Sequence, residues 1–339
     1  MKLREIGEFG FIERIKSGCL IREKNVLKGI GDDCCVFKTS GDMVTLLTTD
    51  MLVENIHFLR ESIPPFKLGR KSLAVNISDI AAMGGIPREA VISIAIPPDL
   101  DVDYLDRLYD GMKDMARKFD INLLGGDTTS APQHLVINIA LVGEAREDEV
   151  LFRSGAKVGD SIFLTGYVGS SAAGLDMLLK KREHEDFPEL LDAHYDPWPH
   201  VEAGRIIAGL KAANSMIDVS DGVASDLGHI CQESRVGAII EESKIPVTAS
   251  FQNYLKKNDL NFEYLALHVG EDYVLLGTAP VSTINLIEGA LRKQGCDLFP
   301  IGRIIEGKGI KMVSRDGRTR EIDPRGYDHF KKEPNADNA

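Results

Sequence analysis

FKLGRKSLAVNISDIAAMGGIPREAVISIAIP (66–97) runs a helix, a stop and a strand together. Leu68, Leu73, Ile77 and Ile80 recur at roughly helical spacing, so the segment predicts a helix over 66–83. Gly84-Gly85 and Pro87 end it, and EAVISIAIP (89–97) reads as a strand. Working outward, residues 3–18 predict a short amphipathic helix, and 33–37 and 43–49 predict strands parted by the turn signal Thr39-Ser40-Gly41-Asp42. A second amphipathic helix is expected over 104–119, with strands at INLLGG (121–126) and HLVINIALVGE (134–144). Strands alternating with helices predict an α/β or α+β domain.

At 339 residues the chain has room for about two domains of ~150 residues each. The polar, turn-rich stretch from Arg153 to Asp160 marks a break, after which SIFLTG (161–166) restarts the pattern. A helix is expected over 170–181. Then comes a loose charged stretch, KKREHEDFPELLDAHYDPWP (180–199), and a helix from 201. SMIDVSDG (215–222), a helix over 223–234, GAIIEE (237–242) and YVLLGTAP (273–280) follow. The expected division is 1–148, 149–330 and a polar, disordered tail at 331–339.

Hydrophobic content of 43% and charged content of 27% are those of a soluble globular protein with ample core. No apolar run approaches the ~20 residues of a membrane span, and MKLREIGEFGFIERI lacks a signal-peptide core, so a cytoplasmic protein without a membrane partner is expected. A net charge of −12 with no block of basic residues argues against nucleic acid. The five cysteines include no CxxC pair and read as reduced thiols, with Cys34-Cys35 packing in a strand. Gly166-Tyr167-Val168-Gly169 matches neither a dinucleotide fingerprint nor a P-loop and reads as helix-entry packing. HExxH, GxSxG and protein-kinase motifs are absent, which removes zinc-protease and serine-hydrolase readings.

Chemistry is concentrated in aspartates that follow apolar runs. Asp32 and Asp33 follow Gly31, and Asp50 follows Thr48 and Thr49. Asp127 follows Gly125 and Gly126, while Asp218 and Asp221 flank Ser220. Carboxylates and hydroxyls at converging strand ends would form a cage of hard oxygen ligands for magnesium and, through it, phosphate. Asp79 stands in an otherwise apolar or small-residue run, where an unpaired carboxylate is costly and needs a cation or backbone donors. His57, in VENIHF, is a lone histidine that suits a structural role as well as a ligand role.

Eight segments in order carry a resemblance: GIGDDC (29–34), TTDMLVENIHF (48–58), KSLAVNISDIAAMGG (71–85), LLGGDTT (123–129), RSGAKVGD (153–160), IDVSDGVASDLGHI (217–230), GEDY (270–273) and GYDHF (326–330). Together they are similar to the thiamine-monophosphate kinase family. That family lies within the ATP-dependent superfamily of aminoimidazole-ribonucleotide synthetase and selenophosphate synthetase. The resemblance runs from about residue 5 to 330.

It implies a two-domain fold like that of aminoimidazole-ribonucleotide synthetase, with N-terminal domains pairing into a β-barrel across a homodimer. It also implies transfer of the ATP γ-phosphate to thiamine monophosphate. Magnesium ligands are implied at Asp33, Thr48, Thr49, Asp50, Asp79, Asp127, Asp218 and Asp221, with several ions per site. Gly126, Asp127, Arg153, Ser220 and Tyr109 match nucleotide positions, while His57, Glu271 and Tyr327 match positions that hold thiamine monophosphate. Asp50, Asp79, Asp127 and Arg153 are the expected catalytic set. His200 stands where relatives commonly carry arginine, which puts any anion contact there in doubt. Another ATP-dependent synthetase of the superfamily and a non-catalytic metal-binding module are the alternatives.

Overall fold

The computed structural model describes residues 3–182, 185–324 and 326. Tyr327 and the expected tail at 331–339 lie outside the described residues. Helix α1 (Leu3–Lys16), broken by a non-helical Gly7, precedes strands β1 (Val26–Lys28), β2 (Cys35–Ser40) and β3 (Met43–Val53). Helix α2 (Pro65–Ala82), strand β4 (Ile86–Ile96), helix α3 (Val102–Phe119) and strands β5 (Asn122–Ser130) and β6 (Val136–Arg146) follow. These strands form a six-stranded sheet in the order β1-β2-β3-β6-β4-β5. β4 and β5 are parallel and joined by α3; the other neighbours are antiparallel.

β3 shows the period-2 logic of the sheet. Val44, Leu46, Thr48 and Leu52 are buried, while Thr49 and Met51 are exposed. The buried face is covered by α2, which meets β3, β6 and β4, as well as α3, α6 (Val201–Leu210) and β8 (Ser215–Asp218). Pressed from several sides, α2 is buried along almost its whole length, including Arg70, Lys71, Asn76 and Ser78. Its crossing with α3 is close because both helices carry glycine there. A Cβ on Gly69 would lie 1.9 Å from the Leu108 carbonyl oxygen, and one on Gly111 would lie 1.9 Å from that of Phe66.

The second sheet begins with β7 (Ser161–Leu164) and takes β8, β9 (Gly237–Glu241), β10 (Leu275–Ala279), β11 (Phe299–Ile305), β12 (Ile310–Val313) and β13 (Thr319–Ile322). Its order is β13-β12-β9-β11-β7-β10-β8. Helices α4 (Ser170–Leu179), α5 (Pro188–Tyr195), α7 (Val223–Ser234), α8 (Ala249–Asn258) and α9 (Val281–Arg292) complete the unit. Tyr195, Ile207, Met216 and Leu275 join the core of the first sheet, so α2 is packed from both units. A second core, around Ile162, Leu164, Phe251 and Ile301, belongs to the second sheet alone.

Two sequence expectations change and one is met. Asp50 and Asp127 sit inside β3 and β5 rather than at strand ends. The stretch expected to be loose contains α5, started by Pro188 at its first turn. The expected helix-entry role of Gly166–Gly169 is met by Gly169. Its φ is +84°, and a Cβ there would touch the Phe251 ring at 2.8 Å.

Candidate active site

Five segments converge beside α2. The turn before β2 brings Asp33, β3 brings Thr48 and Asp50, α2 brings Ser78 and Asp79, the start of the second unit brings Arg153, and β8 brings Asp218. Carboxylate oxygens of Asp33, Asp79 and Asp218 all lie within 4.8 Å of one another. Thr48 Oγ1 donates to Asp79 Oδ2, and Ser78 Oγ donates to Asp218 Oδ2 at 2.6 Å. Asn76 accepts the Asp50 N–H at 3.1 Å, tying α2 to the middle of β3. Arg153 grips Asp33 Oδ1 through Nη2 at 2.6 Å and Nε at 3.2 Å. Asp33 Oδ2 is buried without a hydrogen-bond partner among the described residues.

Burial and mutual repulsion push these carboxyls upward. Asp33 rises to about 7, with burial opposed by Arg153 and assisted by Asp218 and Asp32. Asp50 and Asp218 rise to about 6, and Asp79 rises well above its ordinary value through burial and the charges of Asp50, Asp218 and Asp33. The site holds more buried carboxylates than its one guanidinium can balance. Its all-oxygen donor set, with an orphaned Asp33 oxygen, fits hard divalent cations. Asp32 instead pairs with Lys28 at 3.0 Å and accepts the Arg153 N–H at 3.2 Å, holding the loop together.

A second acidic group adjoins the first. Asp221, Asp226 and His229 offer ligand atoms within 4.8 Å of one another, and burial raises Asp221 to about 7. Asp226, missed by sequence reasoning, is fully buried and accepts the N–H groups of Gly222 at 3.1 Å and Asp221 at 3.3 Å. Its signal is a carboxylate in the first turn of α7.

Other expected residues fall elsewhere. Thr49 alternates to the open face of the first sheet, where Asn138 donates to its Oγ1 at 3.0 Å. Asp127 shares that face. It pairs with Ser93, Ser93 with Asn138, and Asn138 with Met51. Three strand spacings of ~4.8 Å put it about 14 Å from Met51 along that row. Its neighbour Gly126 is required by the sheet itself, since a Cβ would lie 1.6 Å from the Ile92 carbonyl oxygen. Tyr109 is half-buried on α3 against the first core. His57 lies just past β3, where its Nδ1 accepts the Val53 N–H at 3.0 Å. His200 is half-buried and pulled down to about 4 by desolvation, with Nδ1 2.7 Å from Thr165 Oγ1, so it is a neutral packing group. Cys34 is buried and its thiol is pushed well up, as befits a packing residue.

Glu271 lies across from α2. The loop holding it lies against the turn after β8, with Glu271 N–H donating to the Ser220 carbonyl at 2.8 Å and Tyr273 N–H to that of Val219 at 2.9 Å. Glu271 and Tyr273 have φ of +66° and +51°, a left-handed conformation that costs energy in non-glycine residues. Asp272 secures the loop by accepting the Gly169 N–H at 2.8 Å and the Ser171 N–H at 3.3 Å at the start of α4.

Two family models cover most of the chain. AIR synthase related protein, N-terminal domain, matches residues 31–145, and the C-terminal domain of the same description matches 157–315. The thiamine-monophosphate kinase of Aquifex aeolicus (strain VF5) is 37% identical over 97% of this chain and 100% of its own. The chain belongs to the thiamine-monophosphate kinase family. The Bacillus subtilis (strain 168) enzyme of that name is 35% identical over 92% of this chain and 96% of its own. A solved structure of AaThiL complexed with AMPPCP and TMP superposes with a TM-score of 0.85. It is 36% identical, covering 97% of this chain and 99% of that one. The family membership agrees with the two-domain architecture that the ordered motifs implied.

Proposed function

We infer that this chain transfers the γ-phosphate of ATP to thiamine monophosphate, forming thiamine diphosphate and ADP. The carrying observation is the convergence of Asp33, Asp79 and Asp218 beside Asp50 with too little positive charge among them. A phosphate oxygen of thiamine monophosphate bonds to the γ-phosphorus while the bond to the β–γ bridging oxygen breaks. That acceptor is already largely ionised at neutral pH, so no side chain need act as a general base.

Asp33, Thr48, Asp50, Asp79 and Asp218 would hold magnesium, with Asp221 beside them. When bound, magnesium screens the phosphates and draws charge from the transferring group. Thr48 and Ser78 orient Asp79 and Asp218 by donating one hydrogen bond to each. Arg153 keeps Asp33 facing the site and adds positive charge at its edge. We assign Ser220, at the turn between Asp218 and Asp221, to the nucleotide. Glu271 and His57 are assigned to the thiamine portion.

We assign Thr49 and Asp127 to a nucleotide-facing region on the open sheet face, completed by a second copy. β5 is an edge strand exposed along almost its whole length, with Leu124 on it and Val91 on the neighbouring strand as exposed hydrophobics. An unpaired edge beside apolar surface supports pairing of two N-terminal units into a homodimer. We place the division between the two units at 148/149. No helix among the described residues is long and apolar enough to cross a membrane, and a cytoplasmic location is our reading.

The test is a coupled assay of purified protein with ATP and magnesium, with and without thiamine monophosphate. Thiamine diphosphate and ADP should form in equal amounts and only when all components are present. ATP hydrolysis that ignores thiamine monophosphate would overturn the reading.

A further inference from the structure

Lys71 is a charged residue in the interior of α2 with a side chain only 1% exposed. Its Nζ donates to the His194 carbonyl at 3.0 Å and stands 3.1 Å from Glu271 Oε1. His194 Nδ1 is 3.3 Å from the other carboxylate oxygen, Oε2, and 3.1 Å from Ser171 Oγ. Burial and Lys71 hold His194 down to about 3, so it is neutral, and its ring packs beside the carboxylate. Lys71 thus holds one oxygen of Glu271 from the protein side and the His194 ring backs the other, while 24% of its side chain stays open. Burial alone would raise the Glu271 carboxyl, but the Lys71 charge outweighs it and holds it below its ordinary value.

Stability does not explain this arrangement. A buried ion pair returns little net free energy, because desolvating two charges offsets their attraction. Positioning does explain it. The backbone of Glu271 is held in a left-handed conformation by the turn carrying Ser220, and its carboxylate is fixed by a cation from α2 and a ring from α5. α2 also carries Asp79, eight residues beyond Lys71. At ~1.5 Å per residue the helix spaces the Glu271 anchor from the metal-binding carboxylates by about 12 Å.

We propose that Lys71 is a positioning residue for substrate recognition, acting through Glu271 and registering the thiamine end of the substrate against the phosphoryl-transfer end along α2. This rests on the reading of the protein as a thiamine-monophosphate kinase. It extends that reading to a residue with almost no exposed surface, which cannot itself meet the substrate.

The test is steady-state kinetics of Lys71→Met with both substrates varied. KM for thiamine monophosphate should rise about tenfold or more, while kcat stays within about threefold and KM for ATP is unchanged. An unchanged KM for thiamine monophosphate in Lys71→Met that is folded by circular dichroism, whatever its kcat, would overturn the proposal. The comparison of Glu271→Gln with Lys71→Met/Glu271→Gln covers the case in which the single variant does not fold. With the carboxylate already gone, removing Lys71 should leave KM for thiamine monophosphate where Glu271→Gln put it. A further tenfold rise would show Lys71 acting by another route and overturn the proposal. A wild-type protein that never turns over thiamine monophosphate removes the functional reading itself, an outcome distinct from an active wild type with an indifferent Lys71.

Discussion

The carboxylates around Asp79 and the carboxylate of Glu271 border the same helix, yet their charge is handled in opposite ways. At Glu271 the protein supplies its own cation, Lys71, and the carboxyl is held below its ordinary value. At Asp33, Asp50, Asp79 and Asp218 one guanidinium faces four carboxyls, and every one of them is pushed up. Burial is common to both centres, so burial alone does not distinguish recognition from metal binding. The local count of cations does. Glu271 is complete as folded and offers fixed lone pairs. The aspartate centre has no such cation of its own beyond Arg153, and our proposed function assigns the missing charge to magnesium.

The largest expected effect breaks the comparison at Asp79. Asp79→Asn removes a ligand without changing shape and should lower kcat/KM by about 10³-fold or more. Because it also removes a repelled, buried carboxylate, the metal-free variant should melt at least about 2 °C above the metal-free wild type. A variant with near-wild-type turnover would remove Asp79 from the site.

Next in size is the pH dependence of the metal-free protein. Asp33 and Asp221 rise to about 7, and Asp50 and Asp218 to about 6, from an ordinary 3.8. The folded state then binds more protons than the unfolded state between those values, so stability is greatest at low pH and is lost as pH rises from about 4 through 7. Each tenfold change in proton affinity is worth ~1.4 kcal/mol, so denaturant titration should show a loss of several kcal/mol between about pH 5 and 8. Millimolar magnesium should restore it, more at high pH than at low. Equal magnesium stabilisation at both ends of that range would sever the link between these carboxyls and the ion.

The smallest effect sharpens the comparison. Ser78 donates one hydrogen bond to Asp218 and touches no substrate in this reading. Ser78→Ala should raise the magnesium concentration for half-maximal rate about tenfold, with kcat at saturating magnesium nearly unchanged. A magnesium titration that superposes on the wild type would mean that Asp218 is not a ligand.

Much of the fold and part of the site are legible in the sequence. Alternating apolar patterns locate α2, α3, β3, β4 and β6, and Asp79 stands out because a carboxylate in an apolar helix needs a cation or donors. Other parts are not legible, for reasons that are local. α5 is hidden because only its Leu190, His194 and Tyr195 are buried while charges dominate the surrounding stretch. Lys71, Asn76 and Ser78 carry no signal along the chain because their polar atoms are satisfied across the fold, by partners as distant in sequence as Glu271 is from Lys71. Thr48 and Thr49 look equivalent in sequence; the strand period sends one to the carboxylates and the other to the open face.

By itself, the sequence determined the two-unit α/β plan, the family and the aspartates on which the chemistry rests. The plan and the candidate aspartates follow from short-range patterns, apolar period, glycine stops and acids set among apolar residues, while the family follows from the resemblance of eight ordered motifs. Only the tertiary structure decided which acids share one centre, that Asp127 lies about three strands away on the other face, and that Glu271 comes with its own lysine. Side-chain alternation and long-range packing govern those pairings, and neither is written in the spacing of residues along one chain.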